Sequence, residues 1–283
     1  MADLGILGAV TAQDWNAVPF PHVLRSPAMP APLYRQLAAE FPSIDAILHD
    51  RVDTLGNVSA RLPAHRVRHT AEISETWREF FAFHTSHAFW LEIVSVFGAQ
   101  FRGLYPKMEA KVGRPLEEWR TGLRRIEDDA DVRLDCQFVI NTPSDTASSV
   151  KTAHVDKSNT LLSMLWYFRD PADRSEGGDL ALYAWKHRPR VLHPRRTILF
   201  SDIEHSGTVR YAPNTLIAFV NSVNAVHGVT PRAPSPLPRR YINFVATTQF
   251  DVFAMPRLNR LERLLHRRQM ERMEVRALQG DKY

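Results

Sequence analysis

His154-Val155-Asp156 sets an imidazole and a carboxylate two residues apart, and in an extended strand residues i and i+2 point to the same face. Both can then reach one ion. A second histidine, His227, follows seventy-one residues after Asp156, in Asn224-Ala225-Val226-His227-Gly228-Val229. Two histidines and one carboxylate on one face of a metal form a facial triad, which leaves three coordination positions open for exchangeable ligands. A bare HxD also arises by chance as a pair on a surface loop, so the surrounding sequence has to carry the reading. Cys136 is the only cysteine, which excludes an intramolecular disulfide and any cysteine-rich zinc or iron–sulfur site. Beside Phe138 and Val139 it reads as a core filler. A metal must therefore be held by nitrogen and oxygen. No Ser-His-Asp or paired-carboxylate arrangement stands out. His22, His65, His69, His84 and His87 lie outside the strand-like region, and His205 has no carboxylate two residues on.

The elements that must position these ligands are short strands. After Asp131 the pattern turns to brief apolar runs bounded by turn residues, the signature of an antiparallel β region. Strands are expected near Asp135–Asn141, Val150–Val155, Leu161–Phe168, Asp179–Tyr183, Thr197–Ser201, Thr208–Tyr211, Thr215–Val220, Val226–Thr230 and Tyr241–Thr247. Gly177-Gly178 and Pro213-Asn214 supply turns between them. This spacing fits a jelly roll or a related barrel. Upstream, Pro19–Val23 reads as a strand and Ala31–Phe41, closed by Pro42, as a helix. From Glu72 to Phe101 large apolar residues recur at intervals of three and four, which predicts one or two amphipathic helices whose aromatics pack on a sheet. A further helix is expected over Pro115–Leu123. The fold class is thus mainly β with helical additions: residues 1–130 form an N-terminal helical region, 131–250 a double-stranded β-helix (jelly roll) core, and 251–283 a basic C-terminal helix, integrated as one domain.

With 44% apolar and 24% charged residues over 283 positions, the chain is long and apolar enough to bury such a core. The formal charge of +5 is unevenly placed. Pro256–Tyr283 holds seven Arg and one Lys against four acids, so nearly all of the excess lies in the tail. A near-neutral remainder argues against a nucleic-acid binder, which carries its basic face on the folded domain. Met1–Thr11 has Asp3 in place of a basic flank and does not read as a secretory signal. No run approaches the roughly eighteen apolar residues of a membrane span. The expectation is a cytoplasmic protein with no membrane partner.

The stretch Ala153–Gln249 resembles the catalytic core of the prolyl-hydroxylase-like Fe(II)/2-oxoglutarate dioxygenases. The likeness rests on an ordered set of motifs: His154-Val155-Asp156, Leu165-Trp166-Tyr167-Phe168, Gly177-Gly178-Asp179-Leu180-Ala181-Leu182-Tyr183, Pro213-Asn214-Thr215-Leu216-Ile217-Ala218-Phe219, His227-Gly228-Val229-Thr230-Pro231 and Arg240-Tyr241-Ile242. The resemblance implies that His154, Asp156 and His227 bind Fe(II), with 2-oxoglutarate as co-substrate, O2 as oxidant and ascorbate as a candidate reductant. It implies too that Arg240 pairs with the far carboxylate of 2-oxoglutarate and that Tyr167 donates to the same group, with a core aromatic as the alternative for Tyr167. An arginine suits this task because its planar fork pairs bidentately and stays charged when desolvated. Adjacent strand residues face opposite ways, so at most one of Arg239 and Arg240 enters the core. Arg240 is favoured, while the long connection after His227 leaves Arg239 and Arg232 open. A retained carboxylate at Asp156 favours hydroxylation over halogenation, and desaturation or cyclisation uses the same oxidant.

The implied activity is hydroxylation of an unactivated C–H bond of a small or medium biosynthetic metabolite, amino-acid-like or anionic, with release of succinate and CO2. Two alternatives stand beside it: a hydroxylase of a peptide or protein side chain, and a cupin-like metalloenzyme that does not use 2-oxoglutarate. Lys186-His187-Arg188-Pro189-Arg190, with His193, Arg195 and Arg196, forms a basic loop that is either solvated or clamps an anionic or carrier-linked group. Leu258, Leu261, Leu264 and Leu265 form an apolar stripe on the C-terminal helix, packed on the core in its first half or used for a homo-oligomer contact.

Overall fold

The computed structural model describes residues 4–48, 55–190 and 198–256, together with Leu261 and Leu264. Its strands are β1 (Trp15–Asn16), β2 (His22–Arg25), β3 (Ser59–Pro63), β4 (Thr121–Leu123), β5 (Val132–Asn141), β6 (Thr160–Tyr167), β7 (Leu180–Trp185), β8 (Ile203–Val209), β9 (Leu216–Val220), β10 (Val226–Val229) and β11 (Arg239–Thr248). The helices are α1 (Ala31–Ala39), α2 (Ile44–Leu48), α3 (Ala64–Val67), α4 (Glu75–Phe83), α5 (His87–Leu104) and α6 (Met108–Val112). A large sheet runs in the order β1-β2-β9-β6-β11-β5-β3, with β4 joining β5 in parallel, and a small sheet runs β10-β7-β8. This is the jelly-roll architecture expected from the spacing of the strands.

Alternation along the central strands decides what each face meets. On β11, Ile242, Phe244 and Ala246 join Leu162, Met164 and Trp166 of β6 and Leu216, Ala218 and Val220 of β9 in one core against the helices. The intervening residues Tyr167, Ile217, Phe219 and Tyr241 pack with Leu180 and Leu182 of the small sheet. A strand buried on both faces reads as a continuous apolar run, and that is how β6 and β9 read. The helical aromatics are packing residues, as expected. Trp77 meets Phe138 edge-on at 4.7 Å, and Phe81 stacks on the same ring at 4.6 Å. Ser74 and Ser86 cap α4 and α5 by accepting from the Trp77 and Phe89 amides, which fixes where each aromatic face begins.

Three local expectations change. Pro115–Leu123 is a 3-10 turn over Leu116–Glu118 followed by β4, because Thr121–Leu123 finds a parallel partner in Val132–Leu134 and extends instead of coiling. Val150–Val155 is not a strand. It touches β10 only intermittently, through the Val229 amide to the Lys151 carbonyl and the His154–His227 bridge. Phe200–Asp202 is a 3-10 turn rather than part of a strand, and β8 begins directly after it, at Ile203. The expected C-terminal helix and the second half of the basic loop fall outside the described residues, except that Leu261 and Leu264 are helical and exposed. Among the described residues no helix is long and apolar enough to cross a membrane.

Asn214, with φ +54°, turns the chain into β9 and ties three elements together. Its side chain accepts from the Trp166 indole (3.1 Å) and the Met29 amide (3.0 Å) and donates to the Met29 carbonyl (2.7 Å). Its own amide donates to the Tyr167 carbonyl. Asn214→Ala leaves these buried groups unpaired and puts alanine in the left-handed region, so unfolding in urea should show a loss of about 2–4 kcal/mol.

His84 is wholly buried between Phe80 and Phe89. Its Nδ1 donates to the Phe80 carbonyl and its Nε2 accepts from the Ile6 amide, so the ring is neutral, and burial pushes its pKa down to about 3. The unfolded chain binds a proton near the ordinary value of 6.5 that the folded chain refuses. Stability from this group is therefore complete above pH 6.5 and declines by about 1.4 kcal/mol per pH unit as pH falls toward 3. Unfolding free energies measured at pH 7 and pH 5 should show that fall, and His84→Leu should remove its share.

Candidate metal and co-substrate site

The two histidines are brought together by their own backbones. The His154 amide donates to the His227 carbonyl (2.9 Å), and the His227 amide donates back to the His154 carbonyl (3.0 Å). The rings then lie 4.3 Å apart, His154 Nε2 is 3.7 Å from Asp156 Oδ1, and His227 Nε2 is 4.0 Å from Asp156 Oδ2. One donor atom from each of the three residues lies within 4.8 Å of the others. Each Nδ1 faces a carbonyl two residues back in its own segment, Thr152 (2.8 Å) for His154 and Ala225 (3.0 Å) for His227. A carbonyl only accepts, so both Nδ1 atoms carry the proton and both Nε2 lone pairs point to the shared centre. Burial holds both imidazoles below their ordinary pKa, further ensuring the neutral ligand form. Burial opposes ionisation of Asp156, but its electrostatic interactions with His227, Lys151 and His154 outweigh it and keep the carboxyl below the usual range. The donor set thus fits a divalent ion with open positions.

Behind the carboxylate stands a support not foreseen from the sequence. Ser163 of β6 donates to Asp156 Oδ2 at 2.8 Å, and Asn221 donates to Ser163 Oγ at 2.9 Å. The signal was present: a serine on an inward position of an otherwise apolar strand needs a partner.

The three arginines considered for the co-substrate separate cleanly. Arg240 lies on the helix-facing side of β11, over the Phe41 ring, with its guanidinium donating to the Phe168 carbonyl and paired to Asp170 at 3.2 Å. Arg232 is buried but already neutralised by Asp173 at 2.9 Å. Arg239 points inward. It is 2% exposed, and its guanidinium carbon sits 5.0, 4.9 and 4.7 Å from the rings of Tyr167, Tyr211 and Tyr241. Its Nε donates to the Gly178 carbonyl and Nη1 to Asn141. Among the described residues no carboxylate lies within 4 Å of it. Of the two adjacent arginines it is therefore Arg239, not the expected Arg240, that enters the core, for a parity reason: Tyr241, Asn243 and Val245 line the cavity, and Arg239 shares their face.

Gly177 and Gly178 make this placement possible. Both have φ near +75°, and a Cβ on Gly177 would lie 1.9 Å from the Pro231 carbonyl oxygen. The turn therefore passes close enough to offer its carbonyl to Arg239. Tyr167 also faces inward; its hydroxyl is buried beside Arg239 without a well-formed hydrogen bond, and burial pushes its pKa up to about 12. A cavity of about 290 Å³ contains the triad and reaches Tyr241, whose ring lies against Arg239.

No protein-family model matches the sequence, and neither does any curated protein. Solved structures do. In structure the chain is similar to 2OG-Fe(II) oxygenases. A prolyl-4-hydroxylase from Pseudomonas putida aligns at 15% identity over 80% of this chain and 92% of its own, with a TM-score of 0.45. Prolyl 4-hydroxylase from Phytophthora capsici aligns at 12% identity over 89% and 68%, with a TM-score of 0.47. The epimerase SnoN, solved with Fe3+, alpha ketoglutarate and nogalamycin RO, aligns at 14% identity over 80% and 78%, with a TM-score of 0.45.

Proposed function

We propose that the chain is an Fe(II)- and 2-oxoglutarate-dependent oxygenase that hydroxylates a small metabolite. The observation that carries this reading is the pairing, inside one barrel, of a three-donor metal cluster with a buried arginine that has no carboxylate partner among the described residues. A desolvated cation without a counter-ion is costly, and a site that keeps one is built for an incoming anion. A metal site working without an organic acid would leave Arg239 unanswered, which disfavours the cupin-like alternative.

His154, Asp156 and His227 would hold the iron by Nε2, carboxylate and Nε2. Arg239 would take the far carboxylate of 2-oxoglutarate through its fork, and Tyr167, with its hydroxyl otherwise unsatisfied, would donate to the same group. The bound pair supplies the oxidising chemistry, in which decarboxylation of 2-oxoglutarate to succinate provides two of the electrons that reduce O2. The protein's part is placement. Ser163 and Asn221 fix the Asp156 carboxylate, the Thr152 and Ala225 carbonyls fix the imidazole tautomers, and Phe219, packed 4.9 Å from the His227 ring, keeps that side apolar. No side chain is needed as a general base.

Anaerobic titration with Fe(II) and then 2-oxoglutarate should give a weak visible charge-transfer band. Absence of the band in the wild-type chain would sink the assignment.

A further inference from the structure

The cavity has a second character that the iron chemistry does not use. Among the described residues Arg61, Arg124, Lys151 and Lys157 all line it, against Asp156 as the one acidic side chain in the wall. Lys151 is spoken for in part, with its ammonium 3.7 Å from Asp156. Arg124 stands 3.5 Å from the buried Asp135. Counting both carboxylates, two positive charges remain in excess. Among the described residues neither Arg61 nor Lys157 has a carboxylate within 4 Å.

The two arginines are anchored from beneath by buried polar groups, while Lys151 and Lys157 are exposed at the rim. Arg61, exposed on the cavity side of β3, donates to Gln137 Oε1 at 3.1 Å. Asn243 donates to the same oxygen at 3.3 Å, and Gln137 in turn donates to Asp135. Asp135 also accepts from the Ala64 amide. Gln137 and Asp135 are both 1% exposed, so a buried polar layer across β3, β5 and β11 braces the arginines that face the cavity. The charges feel one another: burial lowers the proton affinity of Arg124, and Arg125, Arg61 and Arg133 add to that effect. Like charges held together with neutral or partial satisfaction are stable when an anion joins them.

Resting on the oxygenase reading, the geometry points to a substrate that is a small metabolite bearing a phosphate monoester, its phosphate held by Arg61, Arg124 and Lys157 at the end of the cavity away from Arg239. A dianion with three terminal oxygens matches an excess of two charges and three separate donors better than a single carboxylate does. The cavity volume, about 290 Å³, suits a small molecule.

Calorimetry on the metal-free full chain tests the subsite apart from the oxygenase reading. Glycerol 3-phosphate should bind, with glycerol and acetate at the same ionic strength binding far less. Affinity should fall by about tenfold or more in Arg61→Ala/Lys157→Ala and in the exposed single variant Lys157→Glu, while persisting in Arg239→Ala. In the iron-loaded enzyme, phosphorylated members of matched metabolite pairs should stimulate succinate release and their dephosphorylated partners should not. Acetate binding as tightly as glycerol 3-phosphate, binding lost only in Arg239→Ala, or preferential turnover of dephosphorylated partners would each overturn the proposal. A missing charge-transfer band with phosphate binding intact would overturn the oxygenase reading and leave the phosphate subsite standing.

Discussion

Arg239→Ala should abolish useful binding of 2-oxoglutarate, whereas Arg240→Ala should leave it nearly unchanged. Truncating one partner of a buried charge pair costs about 2–5 kcal/mol, so the dissociation constant for 2-oxoglutarate should rise by about 30- to 5000-fold. The readout is the charge-transfer band at rising 2-oxoglutarate with iron present. Arg239→Lys keeps the charge but loses the planar fork and the fit among three tyrosine rings, so it should fall between wild type and alanine. Tyr167→Phe removes one donor and should cost about fivefold. Arg239→Ala removes a buried cation that has no carboxylate partner among the described residues, but also its packing and its bond to the Gly178 carbonyl, so binding is compared in Arg239→Lys and at a temperature well below the melting point of each variant. Arg240→Ala breaks a partly exposed ion pair with Asp170 and should lower stability by less than about 1 kcal/mol. If Arg240→Ala were the variant that lost 2-oxoglutarate, the assignment of Arg239 would be wrong.

The contrast between those two arginines shows what the sequence made legible. Strand type and order were readable because β6 and β9 are continuous apolar runs between turn residues. The triad was readable because HxD and a later His-Gly-Val recur in a known order. Parity on β11 was harder. Both of its faces are apolar, one against helices and one against the small sheet, so the alternation that marks an inside and an outside is nearly erased. The polar Asn243 was the usable sign, since it shares a face with Arg239 and Tyr241. Val150–Val155 misled for a different reason. His154 and Asp156 converge without a strand, because reciprocal bonds between His154 and His227 do locally what a ladder would do. Asp135 and Gln137 stand two apart on β5, but the layer they form with Arg61 of β3 and Asn243 of β11 was illegible because no local spacing links the three strands.

His227→Ala should remove iron binding outright, and the comparison with Ser163→Ala tells coordination from orientation. Loss of His227 takes away one of the three proposed ligands and the ring that packs on Phe219 and His154. The charge-transfer band should disappear at any practical Fe(II) concentration. The reciprocal backbone bonds to His154 survive the substitution, so the fold should hold. Ser163→Ala leaves every ligand in place but frees Asp156 Oδ2 from its 2.8 Å hydrogen bond. Supporting groups of this kind are worth about 10- to 100-fold in metal affinity, so the band should persist and shift to higher Fe(II). Asn221→Ala acts one step further back, through Ser163, and should show a smaller shift in the same direction. That ordering follows from a chain in which each residue acts only through the next. An undiminished band in His227→Ala would show that the metal is held elsewhere. Equal losses in Ser163→Ala and His227→Ala would show that Ser163 is itself a ligand and that Asp156 is not held as the structure places it.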